Sequence, residues 1–179
     1  LRFICNISEG IEALSKGLEA KTTWENGELK EMRNKHKKIY GQQQEWGPGA
    51  ITETVRSLVP RDTVITMDSG AHRILISQAW RTYVPRSALQ SSAFCTMGCA
   101  LPLATGAKLA DPGRVVVAFM GDGGLEMVLG ELITLRDLGL PVIVIVFVDA
   151  SLALIEKKQR EMQYKNVCPN SVVSVSYTH

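Results

Sequence analysis

Residues Val115 to Gly124 read "VVVAFMGDGG", an apolar run that ends on an acid set among glycines. A second run, "PVIVIVFVD", ends on Asp149, and a third, "VITMD", ends on Asp68. Gly121, Gly123 and Gly124 would let the backbone approach a ligand closely and are expected to take positive φ. A helix expected to begin near Leu125 would point its free N–H groups at the same place, which favours an anion such as phosphate. Acids and a phosphate repel each other, and a hard divalent cation between them resolves the conflict. Mg²⁺ takes oxygen ligands and combines one or two carboxylates with phosphate oxygens. Asp122 and Asp149 are therefore candidate metal ligands, and the glycines a candidate diphosphate cradle. "GDGG" by itself is weak, because a Gly-Asp-Gly turn after a strand is often only a turn. The second strand-terminal acid one helix further on makes the combination stronger. No Gly-Lys-Ser/Thr follows, so this is not a Walker loop, and "GDGGLE" lacks the G-x-G-x-x-G spacing of a dinucleotide site.

The elements that must position these residues follow a simple alternation. "GPGAITETVRSLVP" reads as a helix and "TVITMD" as a strand. "GAHRILISQAW" reads as a helix, "SALQSS" as a short strand and "MGCALPLATGAKLA" as a small-residue helix. "RVVVAFMGD" is a strand, "LEMVLGELITLRDLG" one helix, "PVIVIVFVD" a strand and "LALIEKKQREMQ" a last helix. Near-continuous Val/Ile runs alternating with helices predict an α/β fold, a doubly wound parallel sheet with helices on both faces. Right-handed crossovers deliver the C-terminal ends of parallel strands to one edge, where such sheets bind ligands. Upstream, Ile11, Leu14 and Leu18 share helical spacing behind Ser8 as a plausible N-cap. The charged run "RNKHKK" reads as a solvated linker helix rather than an anion patch. "WGPGA" breaks the chain before the alternation starts.

The 179 residues, 45% hydrophobic and 21% charged with net charge +2, suffice for one full domain and argue against disorder and nucleic-acid binding. No apolar stretch approaches the roughly 20 residues of a membrane span, and the start is too short and polar for a signal peptide. Cys5, Cys95, Cys99 and Cys168 are scattered. Only Cys95 and Cys99 are close, and no second pair would close a tetrahedral metal site, so the expectation is reduced thiols in a cytoplasmic protein. The chain opens on Leu1 rather than Met and closes on "SVVSVSYTH", which lacks helical period. Its last five residues match one frame of a common transposon sequencing adapter. The reading is an open reading frame clipped at both ends, with the sheet truncated at its C-terminal side and 168–179 a doubtful tail.

From about Trp46 to Asn166 the chain resembles the diphosphate-binding domain of thiamine diphosphate enzymes, in the acetolactate synthase and 2-oxo acid decarboxylase group. "GDGGLEMVLGELITLRDLGLPVIVIVFVDAS" is similar to that family's metal and diphosphate signature, with Glu131 and Pro141 in place. "DSGAHR" resembles its strand-to-helix loop on the diphosphate, and "CTMGCALPLATGAKLA" its segment under the aminopyrimidine. The resemblance divides the chain into the tail of a middle domain (1–25), a linker (26–46) and the cofactor domain (47–179).

The resemblance also implies roles. Asp122 and Asp149 would ligate Mg²⁺ by their carboxylates, and Ser151 by its backbone carbonyl. Gly121, Gly123 and Gly124 would hold the diphosphate, joined by Gly70, Ala71 and His72. Cys95 would offer its carbonyl to the 4-amino group, and Met97 would wedge under the cofactor to force its bent conformation. Read without the resemblance, Met97 is plain core, and for His72 a capped, solvated histidine and a ligand-side residue stand open side by side. No catalytic residue is expected in the chain itself, because the family's activating glutamate comes from a separate pyrimidine-binding domain, usually of another subunit. The implied partners are thus a 2-oxo acid and that domain, in a homodimer or homotetramer, with FAD a further cofactor of some members and neither nucleic acid nor membrane involved. This sequence departs from the family where Asp149 stands for the usual Asn, Val148 for another, and Lys158 for the Trp that acetolactate synthases place over the substrate. Two other readings of the residues stay open, a non-catalytic diphosphate- or nucleotide-binding domain and an unrelated Mg²⁺-dependent phosphate-handling domain.

Overall fold

A computed structural model describes residues 4–19, 24, 27–40 and 46–165. The chain divides into two compact units, Leu1–Lys37 and Lys38–His179. In the first unit α1 (Ile7–Ser15) carries Ile7, Ile11 and Leu14, all exposed. Its N-cap is Asn6 rather than the expected Ser8. Asn6 has extended backbone, and its side chain accepts from the Ser8 N–H, so Ser8 lies inside the first turn. The charged segment forms α2 (Glu28–Tyr40), which is solvated as expected.

The second unit is built on four parallel strands, β1 (Val64–Met67), β2 (Ala88–Gln90), β3 (Val116–Gly121) and β4 (Ile143–Phe147), in the order β2-β1-β3-β4. Helix α3 (Pro48–Leu58) leads into β1, α4 (Ala71–Ala79) follows β1, and α5 (Ala100–Ala110) crosses from β2 to β3. Strand alternation distributes the core over both faces. Ile65, Met67, Val117 and Phe119 pack with Ile76 and Trp80 of the α4 segment. Val64, Val116 and Ala118 meet Ala104 of α5 on the opposite face. Burying a side chain such as Phe119 or Ile65, both fully enclosed, contributes about 1.5–3 kcal/mol. The small residues of α5 let it lie close to β1 and β3, and buried Lys108 donates to the carbonyls of Pro112 (2.9 Å) and Arg114 (2.7 Å), closing the α5–β3 turn without a bare charge.

The single helix expected over 125–139 is two short ones, α6 (Asp122–Met127) and α7 (Glu131–Asp137). Around Val128 to Gly130 the bonds tighten to Val128 N–H to Leu125 O and Glu131 N–H to Val128 O. The break lets α7 tilt Leu135 into a core with Ala100, Leu101 and Met120. The last described helix is α8 (Ala153–Glu161). Among the described residues no helix is long and apolar enough to cross a membrane.

Candidate functional site

The C-terminal ends of β1, β3 and β4 open into one cavity of about 730 Å³. All the site residues expected from the sequence line it, namely Gly70, Ala71, His72, Cys95, Met97, Gly121, Asp122, Gly123, Gly124, Asp149 and Ser151. They arrive from four segments, after β1, before α5, at the end of β3 and after β4. The lining also includes the apolar side chains of Trp46, Ile51, Leu152, Leu154 and Ile155.

Asp122 and Asp149 meet because β3 and β4 are hydrogen-bonded neighbours, Gly121 pairing with Phe147. Asp122 Oδ1 accepts the Gly123 N–H at 2.9 Å, and Oδ2 accepts the Ala150 N–H at 3.0 Å. Ala150 takes φ +52 to present that amide, a left-handed conformation that a non-glycine residue adopts only under outside constraint. Asp149 Oδ1 accepts the Ser151 N–H at 3.0 Å, and the Ser151 hydroxyl is held by Glu156 at 3.2 Å. The Arg160 guanidinium, hydrogen-bonded to Glu156, holds that carboxyl below the usual range, helped by Ser151. Each aspartate is thus oriented by main-chain N–H groups and keeps lone pairs for a ligand. Two carboxylates are hard oxygen donors of the kind that suits Mg²⁺, an ion that commonly completes its shell with phosphate oxygens. No group of three or more His, Cys, Asp or Glu side chains that could hold a metal occurs among the described residues, so a metal held by these two acids would need its other ligands from backbone, water or a bound anion.

The helix expected to aim its N–H groups from Leu125 instead starts at Asp122 and runs six residues, and its Gly123 amide is already used by the Asp122 carboxylate. Gly121, at φ −87, and Gly123 and Gly124 do not take the positive φ expected of them, so what these glycines offer a ligand is close backbone approach rather than a left-handed turn or a long helix. A Cβ on Gly123 would touch Leu152 at 3.4 Å and Met97 at 3.7 Å, which places the Met97 side chain beside the glycine turn that follows β3. A Cβ on Gly70 would lie 2.6 Å from the His72 ring.

His72 is not a solvated histidine. Its ring stacks on Phe147 (5.4 Å, 22°), which in turn stacks on Phe119, and Nε2 is buried without a partner. Burial pushes its pKa below the ordinary value, against the pull of Asp68 and Asp149. Cys95 takes φ +51, its carbonyl accepts the Ser69 hydroxyl at 2.6 Å, and its thiol lies 3.5 Å from Arg73 Nη1. Burial raises the pKa of the Cys99 thiol, with the hydrogen bond to Asp68 acting the same way. Cys5, Cys95 and Cys99 are free thiols; Cys168 lies outside the described residues. Lys158 lies outside the cavity lining and pairs with Glu161 at 2.7 Å.

Residues 68–176 match the protein family described as the C-terminal thiamine pyrophosphate-binding domain of thiamine pyrophosphate enzymes. The chain belongs to this family. Within this thiamine diphosphate-binding domain the match begins at Asp68 and takes in every expected site residue. The chain is 37% identical over 109 residues to the acetolactate synthase isozyme 1 large subunit of Escherichia coli, covering 61% of this chain and 19% of that protein. It is 36% identical over 112 residues to the acetolactate synthase of Bacillus subtilis (63% and 20%). Against the probable acetolactate synthase large subunit of Methanococcus aeolicus the identity is 34% over 110 residues (62% and 18%). The chain thus spans about a fifth of the length of these curated relatives.

Two residues given no ligand role by sequence reasoning belong to this domain's cavity region. Arg73 lines the cavity and donates to Ser91 O at 3.1 Å. Asp68, legible only as a strand-terminal acid, turns inward and is fully buried, accepting the N–H groups of Gly98 and Cys99, each at 2.9 Å. Its position in "VITMD" was the available signal; the direction of its side chain was not.

Proposed function

We propose that this chain is the cofactor-holding part of a thiamine diphosphate-dependent enzyme of the acetolactate synthase type, a lyase or carboligase that acts on 2-oxo acids. The observation that carries the reading is the pair of oriented carboxylates, Asp122 and Asp149, at adjacent strand ends beside Gly123 and Gly124. Asp122, Asp149 and the Ser151 carbonyl would hold Mg²⁺, and the backbone of Gly121, Gly123, Gly124, Gly70 and Ala71, with His72, would surround the diphosphate. When bound, the cofactor supplies a nucleophilic ring carbon that attacks the 2-oxo group, and the protein's share is orientation and exclusion of water. The Cys95 carbonyl would accept from the aminopyrimidine. Half-buried Met97, facing Gly123, would support the bend.

Catalysis would also require a glutamate from a pyrimidine-binding domain, supplied by the same polypeptide or by a second copy in a homodimer or homotetramer. The apolar side chains of Trp46, Ile51, Leu154 and Ile155 suit the non-reacting end of a small 2-oxo acid.

The test is calorimetry on the complete enzyme that contains this sequence. Thiamine diphosphate should bind only with Mg²⁺. Asp122→Ala should weaken it by at least the roughly 10–100-fold typical of losing a partner that merely orients a metal ligand. Unchanged affinity would place the metal elsewhere, and binding of a nucleotide but not of thiamine diphosphate would replace the reading with that of a nucleotide-binding domain.

A further inference from the structure

Four consecutive residues at the end of β1 each hold the turn that precedes α5. The Thr66 hydroxyl donates to Ala100 O at 2.8 Å, and the Cys99 thiol reaches Met67 O at 3.9 Å. Asp68 accepts from Gly98 N–H and Cys99 N–H, and the Ser69 hydroxyl donates to Cys95 O at 2.6 Å. The turn they hold, 95–100, carries Met97 into the cavity and contains two residues at positive φ, Cys95 (+51) and Gly98 (+78). Such a turn does not keep its shape unaided.

Asp68 is the charged member of this set. Its carboxylate is fully buried, and no ion pair reaches it among the described residues. Its compensation comes from the N-terminus of α5. Gly98 N–H points at Oδ2 and Cys99 N–H at Oδ1, charge-assisted bonds at the positive end of an eleven-residue helix. The same Oδ2 fills the space in front of Gly124, where a Cβ would come within 1.9 Å. One buried carboxylate therefore touches both the turn bearing Met97 and the glycine turn after Asp122.

We propose that Asp68 is a positioning residue that fixes the 95–100 turn for the ring end of the cofactor, while the diphosphate end is held independently through Asp122 and Asp149. This rests on the thiamine diphosphate reading above. It makes a specific demand on Asp68→Asn, which keeps the shape at Gly124 but sets an amide NH₂ against one of two N–H donors. The diphosphate turn should be spared and the ring-side turn loosened.

The experiment is calorimetry on the complete enzyme with Mg²⁺, comparing thiamine diphosphate with inorganic diphosphate in wild type and Asp68→Asn. The expected result is a loss for thiamine diphosphate of about 10–100-fold, the scale on which groups that orient a site act. Affinity for inorganic diphosphate should stay within about twofold, since Asn keeps the shape of Asp68 against Gly124 and none of the Asp122 or Asp149 hydrogen bonds involves Asp68. Equal losses for both ligands would make Asp68 a general scaffold residue and overturn the proposal, as would no loss for either. A wild type that binds inorganic diphosphate but not thiamine diphosphate would overturn the thiamine diphosphate reading itself. A second measurement covers a variant that does not fold. In the cofactor-free wild type the Gly98 and Cys99 amides must be strongly protected from hydrogen exchange, and free exchange at either overturns the proposal.

Discussion

Replacing Gly124 by alanine should damage this domain far more than a single methyl group suggests. The added Cβ would lie 1.9 Å from Asp68 Oδ2 and 3.1 Å from its Cγ. Non-bonded atoms are comfortable at roughly 3.5 Å, so something must yield by about 1.5 Å. The carboxylate cannot withdraw freely, because it is fully buried and tied by both oxygens to Gly98 and Cys99. Hydrogen bonds to charged groups contribute about 1.5–3 kcal/mol each, so displacing it from both costs about 3–6 kcal/mol, with no water to replace them. That is a large part of the roughly 5–15 kcal/mol by which a domain is stable. The assay is urea unfolding followed by circular dichroism, with Gly106→Ala as reference. Gly106 lies exposed inside α5 with nothing within 4 Å of its added Cβ, so alanine there should stabilise by about 0.8–1 kcal/mol. Gly124→Ala should lose about 3 kcal/mol or more, or show no folded baseline. A loss below about 1 kcal/mol would refute the reasoning, because the Asp68 cage would then be soft.

Two further outcomes follow from the site. Like charges at about 4 Å repel by roughly 4 kcal/mol at an effective dielectric of 20, so Asp149→Asn should preserve Mg²⁺ binding and tighten thiamine diphosphate, whereas Asp149→Ala should weaken both. Titration of the complete enzyme checks this, and an Asn variant that binds the cofactor more than about tenfold weaker would defeat the charge argument. His72, held by burial below its ordinary value of about 6.5, binds fewer protons folded than unfolded. Its contribution to stability is therefore complete above about pH 6.5 and is lost as pH falls through that value towards the lower folded one. Urea stability of the metal-free chain should decline on acidification, and His72→Phe, which keeps a ring against Phe147, should flatten that decline; an unchanged slope assigns it to other groups.

The strands, their direction and the ligand edge were legible because their causes are local. "VVVAF" and "VIVIVF" are β-branched and apolar on both faces, too short for buried helices, and each is separated from the next strand by a helical pattern. Glycines beside strand-terminal acids marked the mouth for the same reason, since a backbone that must approach a ligand closely needs residues without Cβ. The position of Asp122 and Asp149 as neighbours depended on the order β2-β1-β3-β4, which no single segment encodes.

The break between α6 and α7 was hidden because helix propensity through "LEMVLGELITL" is ample. It arises where Val128 packs into the space left by Gly98, 30 residues away in sequence, and where Leu135 must reach the α5 core. The left-handed Cys95 carries no sequence signal either, since cysteine does not favour that conformation. It is held by Ser69 and neighboured by Arg73 from the other side of the cavity. Asp68 shows the division most sharply. Its sequence put an acid at a strand end, as it did for Asp122 and Asp149. Only the tertiary structure turned that carboxylate inward, because the free amides at the start of α5 lie there and a buried charge goes where donors already wait.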